Sequence, residues 1–263
     1  MSRPFFLALP SRSAKPRTAG LTHVLDKGMP LGELEGFIES AGDFVDLWKF
    51  GWGTGYIDPK IEKKVAALSG NGIRACLGGT LLEVAWSQGK EDEYLSWAAD
   101  LGLPCVEVSN GALDLPLPEK RRLIAKAAER FLVLAEVGSK DPSVVVSPSD
   151  WAQEAAGDLS AGASWVLGEG RESGTVGLYN REGEVREQVV ESMRSAVGVD
   201  SIVFEAPRRP QQAWFIRRFG PDVNLGNVAP AEVLGLETLR LGLRADTIGA
   251  VGAEKTGAAA SPR

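Results

Sequence analysis

The sequence predicts an α/β fold: a single closed parallel barrel of eight strand–helix units, the (β/α)8 or TIM barrel. Three observations carry that expectation. Short apolar runs recur eight times between about residues 21 and 248, and each is followed by a stretch that reads as a helix. The clearest run, FLVL at 131–134, is continuous rather than alternating, the pattern of a strand covered by helices on both faces. A chain of 263 residues is also ordinary for one such barrel and can bury a large core. An open doubly wound sheet is the alternative arrangement of the same units.

Taken in order, the first unit places a strand at 22–25, closed by Asp26, Lys27 and Gly28. Its helix spans 31–41, with Leu31, Leu34, Phe37, Ile38 and Ala41 on one face. The second runs from a strand at 44–50 through Gly51-Trp52-Gly53-Thr54-Gly55 to a helix at 57–68. A strand at 73–77 ends in Gly78-Gly79-Thr80 and precedes a helix at 91–101. The fourth strand, 105–108, leads to Ser109-Asn110-Gly111 and a helix starting near Pro118. The fifth begins at Phe131, ends abruptly in Glu136, Gly138 and Lys140, and is followed by a helix at 148–161 that Ser147 or Ser149 would cap. A strand at 165–167 opens into GEGRESGT at 168–175, ahead of a helix at 184–197. The seventh strand, 201–204, is closed by Glu205-Ala206-Pro207 and followed by a helix at 211–219. The eighth, 223–225, leads to Gly226-Asn227 and a helix at 230–243. One catalytic domain therefore spans residues 21–248.

Residues 1–20 hold Pro4, Pro10, Pro16, Arg12, Lys15 and Arg17 and read as an irregular arm facing solvent, a phosphate-facing arm being the alternative. Residues 249–263 read as a flexible tail rich in Ala and Gly.

Composition narrows the function classes. With 29 Lys plus Arg against 35 Asp plus Glu, the formal charge of -6 speaks against nucleic acid as a partner. No apolar run approaches the ~20 residues of a membrane span and no secretory signal is evident, so a cytoplasmic protein without a membrane partner is expected. Cys76 and Cys105 lie in apolar strand segments without zinc spacing and read as reduced core thiols. The single histidine, His23, reads as a packed, hydrogen-bonded structural side chain, and one histidine cannot make a two-histidine metal site. In GWGTGY, Tyr56 stands where a dinucleotide fingerprint needs its third glycine, so NAD is not expected.

In parallel barrels the catalytic groups gather at the carboxyl ends of the strands. There the sequence places Asp26, Glu107, Glu136, Glu169 and Glu205, drawn from five strands. Carboxylates after apolar strands are costly to bury unless paired or bound to a cation, and an oxygen-only set favours Mg²⁺. Pairing with Lys27, Lys49 and Arg171 on the same rim is the simpler account for any one of them. The cations Lys27, Lys49, Lys140 and Arg171 suggest an anionic substrate, with Ser173-Gly174-Thr175 and Gly226-Asn227 adding backbone donors for phosphate.

The segments GLTHVLDKG, DLWKFGWGT, GGTLLEVAWSQGK, VEVSNG, LAEVGSKDP, GRESGTVGLY, IVFEAPRRPQQ, VNLGNV and ETLRLGLRADT resemble, in matching order, those of the phosphosulfolactate synthase family. The resemblance covers residues 20–248. It implies a TIM barrel that adds sulfite to phosphoenolpyruvate with Mg²⁺, giving (2R)-phospho-3-sulfolactate, a step toward coenzyme M in archaea and toward sulfolactate in bacteria. It implies Lys140 as the general acid; Glu136 and Lys49 join the catalytic candidates from their place on the rim, with Lys49 and Arg171 as candidates for holding phosphate and sulfite. Candidate substrate contacts are Lys27, Arg171, Ser173, Gly174, Gly226 and Asn227; candidate metal ligands are Asp26, Glu107, Glu169 and Glu205. The chain departs from the archaeal pattern at Asn110, usually Asp, at Ser139, usually a second Lys, and at Ala245, commonly Gly. Alternatives within this fold are a thiol or hydrosulfide nucleophile, a metal-independent Schiff-base aldolase using Lys49 or Lys140, and a non-catalytic branch akin to plant heat-tolerance proteins. A homo-oligomer is expected, since soluble barrels commonly associate.

Overall fold

The computed structural model describes residues 6–138 and 146–250. Its strands are β1 (Thr22–Asp26), β2 (Leu47–Phe50), β3 (Arg74–Leu77), β4 (Cys105–Val108), β5 (Leu132–Val137), β6 (Trp165–Gly168), β7 (Ile202–Glu205) and β8 (Leu225–Val228). Around them lie α1 (Leu31–Ala41), α2 (Thr54–Ile57), α3 (Ile61–Gly70), α4 (Gly79–Ser87), α5 (Glu91–Asp100), α6 (Leu117–Ala128), α7 (Pro148–Ser160), α8 (Glu187–Val197), α9 (Arg209–Phe219) and α10 (Val233–Arg240).

The strands form one parallel sheet in the order β3-β2-β1-β8-β7-β6-β5-β4. Pairing of β1 with β8 joins the first and last strands of the chain in the middle of that order. The two ends of the sheet, β3 and β4, lie side by side, but no ladder of backbone hydrogen bonds joins them. The TIM barrel is therefore nearly closed, with a seam between β3 and β4.

Strand alternation divides the core into two parts. Val24, Trp48, Val106, Ala135, Val166 and Phe204 face outward into the large helix–sheet core. Leu21, Leu47, Cys76, Cys105, Leu134, Leu167 and Val203 face inward and form one small apolar layer. The next inward-facing residues along five of those strands are Lys49, Glu107, Glu136, Glu169 and Glu205. A step of two residues is ~7 Å along a strand, so the charged set stands one layer above the apolar one.

The arm is irregular as expected, yet its cations do not face solvent. Arg12 pairs with Asp222 at 2.6 Å and Glu237 at 3.2 Å. Lys15 donates to the Gly42 carbonyl at 2.7 Å, and buried Arg17 pairs with Asp46 at 3.2 Å. From the last helix, fully buried Arg240 donates to the carbonyls of Leu21, at 3.0 Å, and Val223, at 2.7 Å. All of these contacts lie before the amino ends of strands, on the floor of the barrel, so a phosphate-facing arm is not found. The expected tail lies, from residue 251 on, outside the described residues.

Candidate active site

The carboxyl ends of the strands open into a cavity of about 350 Å³ lined by Lys49, Glu107, Glu136, Glu169, Arg171, Glu205 and Asn227, among others. The five charged residues from the strands are buried, between 0 and 5% exposed. The Lys49 ammonium lies 3.1 Å from both Glu107 and Glu205. Burial alone would pull its pKa down, but Glu107 and Glu205, with Glu136 and Glu169 behind them, hold it well above the usual lysine value. Lys49 is thus a fixed positive charge. Glu107 carries the complementary strain: burial raises its pKa, against Lys49 and the Gly79 N–H, which donates to it at 2.8 Å.

Glu205 is held on its other oxygen by the Gly170 N–H at 2.9 Å, and Glu169 accepts from the Arg171 N–H at 2.6 Å. Tyr179, from the long segment after β6, donates its O–H to the Glu205 carbonyl at 2.5 Å and is buried. That segment, read from the sequence as a glycine-rich turn, is therefore a wall of the site.

Backbone geometry singles out the same place. Three non-glycine residues among those described have left-handed backbone, Trp52 (φ 51°), Arg171 (φ 51°) and Asn227 (φ 53°), and all three line the cavity. Such conformations cost on the order of 1–2 kcal/mol for side chains other than Asn or Gly, and they gather at functional sites. The Asn227 side-chain amide oxygen (Oδ1) is buried with no hydrogen-bond partner.

Several expected site residues stand elsewhere. Asp26 was expected among the metal ligands, but strand alternation turns it outward once Leu25 faces the cavity. Its oxygens accept the Gly28 and Met29 N–H groups, each at 2.7 Å, and the Trp48 indole N–H at 3.2 Å. Lys27 is half-exposed and pairs with Glu172 at 2.7 Å on the outer rim. Ser173 is exposed, its hydroxyl 2.9 Å from that of Thr175, and Gly174 serves a turn whose carbonyl accepts from Gln211 at 2.8 Å. Gly226 lies within β8, facing inward; a Cβ there would come 3.0 Å from His23 Nδ1. His23 is buried, but neither ring nitrogen has a hydrogen-bond partner, contrary to the bonded role expected. Lys140 lies outside the described residues.

Two supporting residues escaped the sequence reading. Glu83 on α4 is fully buried and accepts from the Ser109 hydroxyl and from the N–H groups of Ala112 (2.9 Å) and Leu113 (2.6 Å), which fixes the loop after β4. Lys120 on α6 is fully buried behind β5. It donates to the Glu136 carbonyl at 2.6 Å and pairs with Glu154 and Asp158 of α7, each at 2.6 Å. The signal for both was a lone charge on the apolar side of a helix, which exposed charges imitate.

Solved structures with the same architecture include 3-keto-L-gulonate-6-phosphate decarboxylase from Vibrio cholerae (TM-score 0.55, 10% identity, 84% of this chain and 95% of that one). Another is 3-hexulose-6-phosphate synthase from Salmonella typhimurium (TM-score 0.53, 13% identity, 84% and 98%). At such identities the likeness concerns the fold alone. Sequence similarity is closer. The chain is 43% identical over 253 residues to the phosphosulfolactate synthase of Methanothermobacter thermautotrophicus, covering 94% of this chain and 98% of that one. It is 41% identical over 246 residues to that of Bacillus subtilis, covering 92% and 98%. Protein HEAT-STRESS-ASSOCIATED 32 of Arabidopsis thaliana is 24% identical over 262 residues, covering 87% and 88%. The family model described as (2R)-phospho-3-sulfolactate synthase (ComA) matches residues 10–246, a span that contains every cavity residue named above, and the chain belongs to that family.

Proposed function

We propose that the protein is a phosphosulfolactate synthase, adding sulfite to phosphoenolpyruvate to give (2R)-phospho-3-sulfolactate. What carries this reading is its similarity to phosphosulfolactate synthases along nearly the whole chain. The chemistry of the cavity supports it.

Among the described residues, four buried carboxylates face one ammonium, Lys49. All-oxygen donors suit Mg²⁺, which Glu107, Glu136, Glu169 and Glu205 would hold; Asp26 is spent on Trp48 and its own turn. When bound, Mg²⁺ supplies positive charge beside an anion forming on the substrate carboxylate.

The sulfite sulfur lone pair forms the C–S bond at C3 of phosphoenolpyruvate, and the C2=C3 π pair moves into the carboxylate as an enediolate. C2 then takes a proton, and no group leaves. The cavity residues bind and orient: Arg171, exposed and without an ion pair among the described residues, offers a planar fork to phosphate or carboxylate. Lys49 gives fixed charge close to the reacting carbons. Lys140, the second residue after Gly138, is the proton donor to C2.

An imine-forming lysine must be neutral to attack a carbonyl. The raised pKa of Lys49 therefore favours the sulfite reading over a Schiff-base aldolase. The test is phosphorus NMR of the purified protein with phosphoenolpyruvate, sulfite and Mg²⁺. A new phosphate-ester signal that needs both sulfite and metal, and is lost with EDTA, is expected. Unchanged phosphoenolpyruvate would overturn the assignment, and product formation unaffected by EDTA would overturn the metal.

A further inference from the structure

His23 is a polar group in the barrel interior that the carboxylate ring leaves unexplained. It is fully buried on β1, with both ring nitrogens lacking a hydrogen-bond partner. A buried unsatisfied group of this kind costs about 1–3 kcal/mol, and native structures seldom carry one without a reason. Gly226 lies against Nδ1 on one side of the ring. A His23 ring nitrogen, the Cys76 sulfur on β3 and a Glu107 oxygen on β4 all lie within 4.8 Å of one another, and all three residues are buried.

We propose that His23, Cys76 and Glu107 form a second cation site for a thiophilic divalent ion of the zinc class, one layer below the carboxylate ring and sharing Glu107 with it. The donor set is one nitrogen, one sulfur and one oxygen. Hard ions such as Mg²⁺ avoid sulfur, whereas zinc, cobalt and cadmium accept all three donors. The three ligands come from three strands, and Glu107 faces the cavity, which leaves the fourth position of a tetrahedral ion to water.

A bound ion draws its ligand atoms to roughly 3.3–3.8 Å from one another, the edge of a tetrahedron with ordinary zinc bond lengths, so any pair standing near the 4.8 Å limit must close. This barrel permits that movement. Cys76 and Glu107 stand on the two strands that no backbone ladder joins, and no hydrogen bond holds the imidazole of His23. Binding is balanced by loss of the thiol proton: the S–H bond breaks, the sulfur lone pair forms the S–metal bond, and the proton passes to water. The ion takes Glu107 from Lys49, which keeps Glu205 at 3.1 Å.

The experiment needs no turnover and so stands apart from the assigned reaction. The full chain, stripped of metal with a chelator, is titrated with Co²⁺ and followed by absorption. One equivalent per chain should bring a near-ultraviolet thiolate-to-cobalt band together with the intense visible bands of a tetrahedral ion. Zn²⁺ should abolish them, and Mg²⁺ should not. Cys76→Ser and His23→Gln should lose the charge-transfer band, while Cys105→Ser, at the other buried thiol, should keep it. Absence of the band in the unaltered protein, its survival in Cys76→Ser, or its loss only in Cys105→Ser would overturn the site. A measurement free of variants is X-ray absorption of the zinc-loaded protein: one sulfur neighbour at about 2.3 Å is expected, and a shell of light atoms alone would refute the proposal.

Discussion

Replacing Lys120 by methionine would leave Asp158 as a fully buried carboxylate whose remaining cation, Arg121, stands 3.6 Å away and is itself partly exposed. Removing one member of a buried ion pair costs about 3–5 kcal/mol. At ~2–4 °C per kcal/mol for a chain of this size, the melting temperature should fall by roughly 6–20 °C. Neutralising the partner as well, in Lys120→Met/Asp158→Asn, removes the unpaired charge. Glu154, 13% exposed, can turn to water. The double variant should therefore recover to within about 1–2 kcal/mol of the parent, as an amide tolerates burial far better than a lone carboxylate. Turnover should not recover with it. Both variants lose the charged hydrogen bond that fixes the Glu136 carbonyl, a bond of the class worth about 1.5–3 kcal/mol. Melting curves and kcat measured on the same preparations separate the two effects. A double variant as unstable as the single one would refute the electrostatic account, and full turnover in the recovered double variant would refute the positioning role of Lys120.

Other consequences can be checked alongside. Burial, then Lys49, keeps the His23 pKa well below its usual 6.5. Below that pH the unfolded chain binds a proton that the folded chain refuses, so stability falls as pH drops. From pH 7.5 to 5.5 the loss should be about 1.4 kcal/mol from this group, and His23→Gln should lack it when urea midpoints are compared. Arg171→Gly should relieve left-handed strain, raising stability by up to about 1 kcal/mol, while the KM for phosphoenolpyruvate rises tenfold or more. A fall in melting temperature there would mean the backbone is not strained. Gly226→Ala should cost about 1–3 kcal/mol, because its methyl group would meet Val203 Cγ1 at 3.1 Å as well as His23. An unchanged urea midpoint would show a looser interior than described. Lys140→Ala should bind phosphoenolpyruvate as the parent does yet lose turnover, since a proton donor acts on the transition state; normal turnover would remove Lys140 from the chemistry.

The fold was legible wherever local pattern and tertiary context agree. The helix at 31–41 and the strand at 105–108 are found at the residues expected, and Ser147 does cap α7, with Asp150 N–H donating to its hydroxyl at 3.2 Å. Helix α4 was not expected. It starts at two glycines with no side-chain cap, and the donor at its first residue, Gly79, is satisfied by Glu107 from another strand. Nothing local announces such a helix. The helix expected at 57–68 is α3, which starts only at Ile61, after Pro59; a short α2 ending at Ile57 occupies part of the stretch expected as a turn. Strand β8 lies later than 223–225, so Gly226 and Asn227 belong to the strand rather than the turn after it.

The site divides along a similar line. Lys49, Glu107, Glu136, Glu169, Arg171, Glu205 and Asn227 do gather in one cavity, because the carboxyl ends of parallel strands share one rim. Asp26 was misplaced although the information was present, since one residue of register moves a side chain from the inside of a barrel to the outside. Glu83 and Lys120 were not recoverable, as their partners lie at positions no local pattern specifies.

The barrel floor has a consequence for the order in which the molecule can be completed. Arg12 reaches Glu237 across 225 positions of sequence, and Arg240 reaches the Leu21 carbonyl across 219. Strand β1 has one neighbour, β2, soon after it is made, but its other neighbour, β8, comes from the far end of the chain. Until that end has been synthesised, one edge of β1 has no strand to pair with and the arm has no Glu237 to hold. Closure therefore belongs after translation of nearly the whole chain, among the contacts of highest sequence separation, which form slowly. Truncation just before Val233 would remove Glu237 and Arg240 together, leaving both ends of the molecule without their mutual anchor.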